Sequence, residues 1–303
     1  MAQAQNKNIL ITGGSGMIGS AVNAHLSSRG FKVFRLSRHS SKASFYYDEA
    51  ASRVYLDPTI PLTAVINLAG PSIADKRWTE PRKRMILQSR QRLTHALAIA
   101  LAESESKPQT LLSASAIGYY GLTGDNCVDE NSPAGSDFLA EVGKTWEAAT
   151  APAENAGINT IHLRFGIVLS PEGGVLGKLL LPFKLGLGGR IGSGDQFMSW
   201  ISITDVVQIV HKLLSDNPKS GPLNLVAEQP VANAEFAAQL ARVLRRPNFL
   251  PLPGFMVKLL FGEMGETLLL GSAGVRSVKL AQLGIALQYP TLNSALAALL
   301  KAE

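Results

Sequence analysis

The order of segments in this chain predicts an α/β fold: a doubly wound parallel sheet followed by a smaller, mixed α/β lobe. Three observations carry that expectation. Short apolar runs alternate with longer amphipathic ones, the first run opens directly onto spaced glycines, and after Leu169 the texture changes to Gly- and Pro-rich loops with short helices.

Residues 9–12 form the first strand, and glycines at 13, 16 and 19 follow it before a helix-compatible stretch, 20–26. Gly13 allows a sharp turn, Gly16 lets backbone N–H groups approach a pyrophosphate, and Gly19 lets the helix pack closely on the sheet. The loop Gly13-Gly14-Ser15-Gly16-Met17-Ile18 therefore reads as a dinucleotide cradle, with the anion on a helix N-terminus. The second strand, 32–36, runs into Ser37-Arg38. NAD-selective sites carry a carboxylate about 20 positions beyond the glycines. Here a hydroxyl and a guanidinium stand instead, a pair that binds a 2′-phosphate and makes NADP(H) the expected cofactor. The bland alternative is that Arg38 is a solvated loop cation.

The next strand, 64–68, closes on Asn67-Leu68-Ala69-Gly70, small residues that bring backbone to a cofactor ring. A helix over 82–103 follows. Most of its basic residues belong to a solvated face, but Arg90 shares the inward stripe of Ile86, Leu93 and Leu97. An inward arginine needs an anion, either a cofactor phosphate or an internal carboxylate. Strands over 110–114 and 160–165 and a helix over 137–156 complete the series. The expected division is a dinucleotide-binding domain, 1–169, and a substrate lobe, 170–303, with segments that cross back to the sheet. Thr204 reads as a helix N-cap with Asp205 in the first turn, which explains both without catalysis. Gln196 and Trp200 either line a pocket between the lobes or pack in the core.

Bulk properties narrow the class. The 303 residues are 46% hydrophobic, and 29 basic minus 23 acidic residues give +6, too diffuse to imply nucleic acid. One cysteine, Cys127, excludes an internal disulfide and a thiolate zinc cluster, and the histidines at 25, 39, 95, 162 and 211 lack metal-ligand spacing. Residues 1–7 lack the apolar core of an export signal, and the longest apolar stretch, 255–270, is interrupted by Lys258, Glu263 and Glu266. The expectation is a cytoplasmic protein, monomer or homodimer, with a small-molecule substrate and no metal, nucleic-acid or membrane partner.

Thr12-Gly13-Gly14-Ser15-Gly16-Met17-Ile18-Gly19, Asn67-Leu68-Ala69-Gly70 and Leu112-Ser113-Ala114-Ser115 resemble the extended short-chain dehydrogenase/reductase superfamily. More narrowly, the chain is similar to the atypical epimerase-family branch related to bacterial YfcH, which is NAD-dependent epimerase/dehydratase-like. That likeness runs through Ile73-Ala74-Asp75-Lys76-Arg77-Trp78-Thr79, Gly118-Tyr119-Tyr120-Gly121, Ile191-Gly192-Ser193-Gly194-Asp195-Gln196 and Ser199-Trp200-Ile201. The resemblance implies a Rossmann domain, an NADP-type cofactor and a C-terminal substrate lobe. It also places Ser37, Arg38, Leu68, Ala69, Arg90 and Val168 on the cofactor.

The superfamily's chemistry uses a hydroxyl, a tyrosine acid/base and a lysine four residues after it. By that resemblance Ser115 is the hydroxyl and Lys144 the lysine, but Ala140 stands at the tyrosine position. Tyr119 and Tyr120 are the nearest substitute phenols, with Tyr119 the candidate acid and Glu141 a further one. Lys144 either binds ribose hydroxyls or is an exposed helical lysine. The implied function is an NADP(H)-dependent oxidoreductase or epimerase acting on a small polar or sugar-nucleotide-like substrate. The alternative is a non-catalytic NADP(H)-binding regulator, with a link to cell division.

Overall fold

The computed structural model describes residues 7–38 and 42–300. Apart from Lys7, the N-terminal stretch read for an export signal lies outside the described residues, as does His39.

β1 (Asn8–Thr12) turns through the glycine loop into α1 (Met17–Ser28), and β2 (Lys32–Arg35) returns beside it. A hairpin of β3 (Phe45–Asp48) and β4 (Arg53–Leu56) precedes β5 (Ala64–Asn67), the long helix α2 (Glu80–Glu103) and β6 (Thr110–Ala116). A 3-10 turn, Ile117–Tyr120, and β7 (Cys127–Val128) lead to α3 (Phe138–Ala148), α4 (Ala151–Asn155), β8 (Asn159–Phe165) and β9 (Ile167–Leu169). The remainder runs through α5 (Gly174–Lys184), β10 (Phe197–Met198), β11 (Trp200–Ser202), α6 (Ile203–Asp216) and β12 (Gly221–Leu225). It ends with β13 (Val231–Ala232), α7 (Asn233–Leu244), α8 (Gly254–Leu269), β14 (Gly274–Val275), α9 (Lys279–Gln282) and α10 (Leu292–Leu300).

The central sheet is parallel throughout, in the order β12-β8-β6-β5-β1-β2. Strand order reverses between β1 and β5, so a crevice opens beyond their carboxyl ends, the usual seat of a ligand in such sheets. The β3–β4 hairpin, absent from the expected alternation, extends the sheet through a parallel bridge between Ser37 and Tyr46. The chain crosses back from the smaller lobe in β12, which pairs with β8.

Alternation along β1 explains its double burial. Ile9 and Ile11 pack with Val22 and Leu26 of α1 and Val210 of α6, while Leu10 joins Leu93, Leu97 and Leu101 of α2 on the other face. A separate core of Leu176, Trp200, Phe236, Leu240 and Leu296 holds the smaller lobe.

Three helix boundaries differ from expectation. Thr79 caps α2 by accepting from Arg82 N, and Pro81 sits in its first turn, so the helix starts two residues early. The stretch 137–156 is two helices, because Pro152 has no N–H to continue the ladder and its ring crowds the preceding turn. The cap of α6 is Ser202 rather than Thr204. Its Oγ accepts from Asp205 N at 2.9 Å and donates to Asp205 Oδ2 at 2.6 Å.

Candidate cofactor and catalytic site

The site starts at the end of β1, where Thr12 is buried. Its hydroxyl donates to Asn67 Oδ1 at 2.7 Å and accepts from the N–H groups of Leu68 and Ala69, both at 3.1 Å. Asn67 Nδ2 donates to Thr94 Oγ1 at 2.9 Å and Ser113 Oγ at 3.2 Å, and Trp146 Nε1 donates to Thr94 Oγ1 at 3.1 Å. This buried polar chain ties β1, β5, β6, α2 and α3 together and fixes Leu68-Ala69-Gly70 against the glycine loop.

The loop is shaped by what its glycines lack. Gly13 has φ +66°, and a Cβ there would lie 2.7 Å from the Leu68 carbonyl. A Cβ on Gly19 would collide with the Gly13 carbonyl. Gly16 differs, since only Gly13 O, at 3.4 Å, comes within 4 Å of a Cβ placed there. Gly16 is also the N-cap of α1, which has no side-chain cap and no acidic residue in its first turn. The opening N–H groups of α1 thus face outward as a ready anion site. The turn after β9 closes over this loop, because a Cβ on Gly174 would lie 3.4 Å from both Met17 Cε and the Val168 carbonyl. Gly13 to Ile18, Leu68 to Gly70 and Val168 converge on one crevice, and its open glycine face and uncapped helix start fit a dinucleotide pyrophosphate.

Cations surround it. Arg38 is exposed and makes no hydrogen bond or ion pair among the described residues, while Ser37 is half-buried in its bridge with Tyr46. The sequence reading passed over Arg35, whose stem covers Gly14: a Cβ there would meet Arg35 Cγ at 3.3 Å. Arg90 is 7% exposed. It donates to Ile86 O at 3.1 Å and Pro71 O at 2.7 Å, stacks on Trp146 at 4.9 Å and lies beside Gly70. No described carboxylate pairs with it. Burial first, and then the neighbouring Arg82, pull it down to about 10. Arg82, assigned to the solvated face from sequence, donates to Ser72 O and keeps a buried Nε without a partner.

At the end of β6 the candidate catalytic groups are tightly engaged. Ser115 Oγ donates to Glu147 Oε1 at 2.7 Å, and Glu147 is gripped by Arg164 through Nε at 2.7 Å and Nη2 at 2.8 Å. Arg164 Nη1 donates to Tyr120 Oη at 2.8 Å, and Tyr120 donates to Asn224 Oδ1 at 2.8 Å. Burial would lower the Arg164 guanidinium, yet the paired carboxylate holds it above its usual value, and burial pushes the Tyr120 phenol up. Tyr119 lies with its ring 3.5 Å from the Arg164 guanidinium carbon, and its hydroxyl has no hydrogen-bond partner among the described residues. Ala140 has no exposed surface. Gly143, one turn on, presses against Tyr119, so α3 packs closely on the 3-10 turn. Lys144 points to solvent, with Nζ 3.4 Å from Gly135 O.

The structure therefore gathers Ser115 and Tyr119 at the sheet edge, with Lys144 exposed on α3. Gln196 donates to Ile191 O and Leu269 O, and Trp200, 1% exposed, packs in the smaller lobe's core. Sequence reasoning missed Glu147 and Arg164, 17 positions apart on different elements and without a motif.

Comparison with known proteins adds a lineage to this geometry. The model of the NAD dependent epimerase/dehydratase family matches residues 9–225, and a domain of unknown function (DUF1731) matches 252–299. The chain is 40% identical over 300 residues to an epimerase family protein of Mycobacterium leprae, covering 98% of this chain and 97% of that one. It is 35% identical over 299 residues to epimerase family protein YfhF of Bacillus subtilis, covering 97% and 98%. Among solved structures, human epimerase family protein SDR39U1 with NADPH superposes with a TM-score of 0.89 at 34% identity, covering 97% of this chain and 99% of that one. A nucleoside-diphosphate sugar epimerase of Corynebacterium glutamicum gives 0.75 at 32% identity, covering 98% of this chain and 58% of that one.

Proposed function

This chain belongs to the NAD-dependent epimerase/dehydratase family, and from that premise we propose that it binds NADP(H) in the crevice beyond β1 and β5. The observation that carries the reading is the uncapped start of α1 behind Gly16, and the NADPH of human SDR39U1 supports the choice of nucleotide. The N–H groups of Met17 and Ile18 hold the pyrophosphate, with Gly13, Gly14, Ser15 and Gly16 forming the turn, which the Gly16 N–H closes by donating to Gly13 O at 3.0 Å. Ser37 and Arg38 take the 2′-phosphate, with Arg35 beside them. Leu68, Ala69, Gly70 and Val168 shape the wall, and Arg90 supplies positive charge next to Gly70. Residues 1–169 hold the cofactor, and the lobe from 170 holds the substrate. The motifs at 73–79 and 118–121 support a place in the branch related to bacterial YfcH.

NADP(H) supplies a hydride, or accepts one, when bound. The reaction we assign is oxidation–reduction or epimerisation of a small polar or sugar-nucleotide-like substrate. Ser115 is tied to Glu147, and Ala140 cannot move a proton. Tyr119, braced by Arg164, is left as the phenol able to exchange a proton with substrate. Screening NADPH consumption across carbonyl, alcohol and nucleotide-sugar compounds tests this, followed by Tyr119→Phe. Loss of kcat by about 10²–10⁴ with unchanged NADPH affinity supports the role, and unchanged kcat removes it. The buried alanine at 140, where the resemblance expects a tyrosine, favours a second reading, a non-catalytic NADP(H)-binding regulator. Tight NADPH binding with no turnover across the whole panel would select it.

A further inference from the structure

The smaller lobe displays large apolar side chains that its core does not use. Leu181, Leu185, Phe249, Phe255 and Leu259 are 66%, 65%, 68%, 70% and 71% exposed. They belong to one face. Residues 185–192 run beside 247–254, with Leu252 N donating to Arg190 O and Gly192 N to Leu252 O, both at 2.9 Å, and Gly186 facing Pro247. α8 starts where this pair ends. Gly262, at φ 59°, breaks α8; Met264 and Leu268 pack with Trp78 and Ile86, and the first half is anchored by buried Val257 and by Arg77 donating to Leu259 O at 2.8 Å, while the side chains of Phe255 and Leu259 project outward.

Exposed arginines rim this face, while Lys258 is paired with Glu266 at 2.6 Å and Lys178 with Asp75 at 3.3 Å. Residues 173–194 hold three Lys or Arg and residues 236–262 hold four, and neither stretch contains a single Asp or Glu. Arg190, Arg245 and Arg246 are exposed. Side chains two-thirds exposed protrude, whereas a small-molecule groove shields its lining. A second copy of the chain fits poorly, because a two-fold contact would set these cations against themselves. An extended surface with negative charge above an apolar layer complements both features.

We propose that this face seats the protein on an anionic bilayer, with Phe255 and Leu259 at the acyl boundary and Arg245 and Arg246 at the phosphates. This peripheral docking departs from the expectation of no membrane partner, and it is not insertion: no described helix is long and apolar enough to cross a membrane. It goes beyond the cofactor reading and does not depend on it.

Co-sedimentation of the full chain with phosphatidylglycerol or phosphatidylcholine vesicles tests the proposal. Capture by the anionic vesicles, release at roughly 0.5 M NaCl and little capture by the neutral ones are expected. Each basic residue near an anionic surface changes partitioning roughly fivefold, so Arg245→Glu with Arg246→Glu should lower capture well over tenfold. Phe255→Glu with Leu259→Glu should do the same, with melting and NADPH titration unchanged. The proposal falls if the protein stays in the supernatant with anionic vesicles at low salt. It also falls if the Phe255/Leu259 variant sediments like the parent, or if those substitutions instead dissolve a dimer. Vesicle capture without NADPH binding would sink the cofactor reading and leave this one standing.

Discussion

Replacing Gly16 with valine separates ligand binding from folding at the centre of the site. Gly16 has φ −76° and ψ 167°, an extended conformation open to any residue, and a Cβ there meets only Gly13 O at 3.4 Å. The branched side chain therefore adds little strain to the protein, but it fills the space in front of the opening N–H groups of α1. Hydrogen bonds to a charged group contribute about 1.5–3 kcal/mol each. Losing two costs roughly 3–6 kcal/mol, a factor of about 10² to 10⁴ in Kd. Titration of Gly16→Val by NADPH fluorescence should show that loss, with the melting temperature within a few degrees of the parent. Gly19→Val is the contrast, since its Cβ collides with the Gly13 carbonyl and should lower the melting temperature as well. Parental NADPH affinity in Gly16→Val would refute the assignment of the phosphate seat.

Arg38→Asp should weaken NADPH binding roughly 10- to 150-fold more than NADH binding, the value of one charged hydrogen bond; equal losses in parallel calorimetric titrations would show that Arg38 does not select. Glu147→Ala leaves Arg164 buried without its partner and should cost about 3–5 kcal/mol in urea unfolding, whereas a loss below about 1 kcal/mol would mean the pair contributes little. Burial holds His25, His162 and His211 below their ordinary value of 6.5, so the unfolded chain takes up protons more readily. Their contribution is complete above pH 6.5 and is lost as pH falls through the lower folded values. The urea midpoint should therefore drop between pH 7.5 and 5.5, and a flat or rising midpoint would contradict the sign.

The glycine loop was legible because Ile9, Leu10 and Ile11 are apolar on both faces and the turn geometry admits little but glycine at position 13. The inward placement of Arg90 followed from helical spacing alone. What escaped depends on distant partners. Nothing local in Gly221–Leu225 marks it as a strand of the main sheet, since its pairing with β8 is a tertiary fact. Thr12, Asn67 and Thr94 look like ordinary small polar residues until the sheet brings them together. Ser115 matched a catalytic position by resemblance, but whether its hydroxyl is free depends on Glu147, 32 residues away. Arg35 alternates outward on β2 and acquires meaning only because the glycine loop curls beneath it.

Calorimetric titration of the full-length protein with NADPH, and separately with NADH, bears most directly on the central claim. Saturable NADPH binding at least about tenfold tighter than NADH is expected from a 2′-phosphate held by charged hydrogen bonds. No heat from NADPH at millimolar concentration, or equal affinity for the two nucleotides, would contradict it.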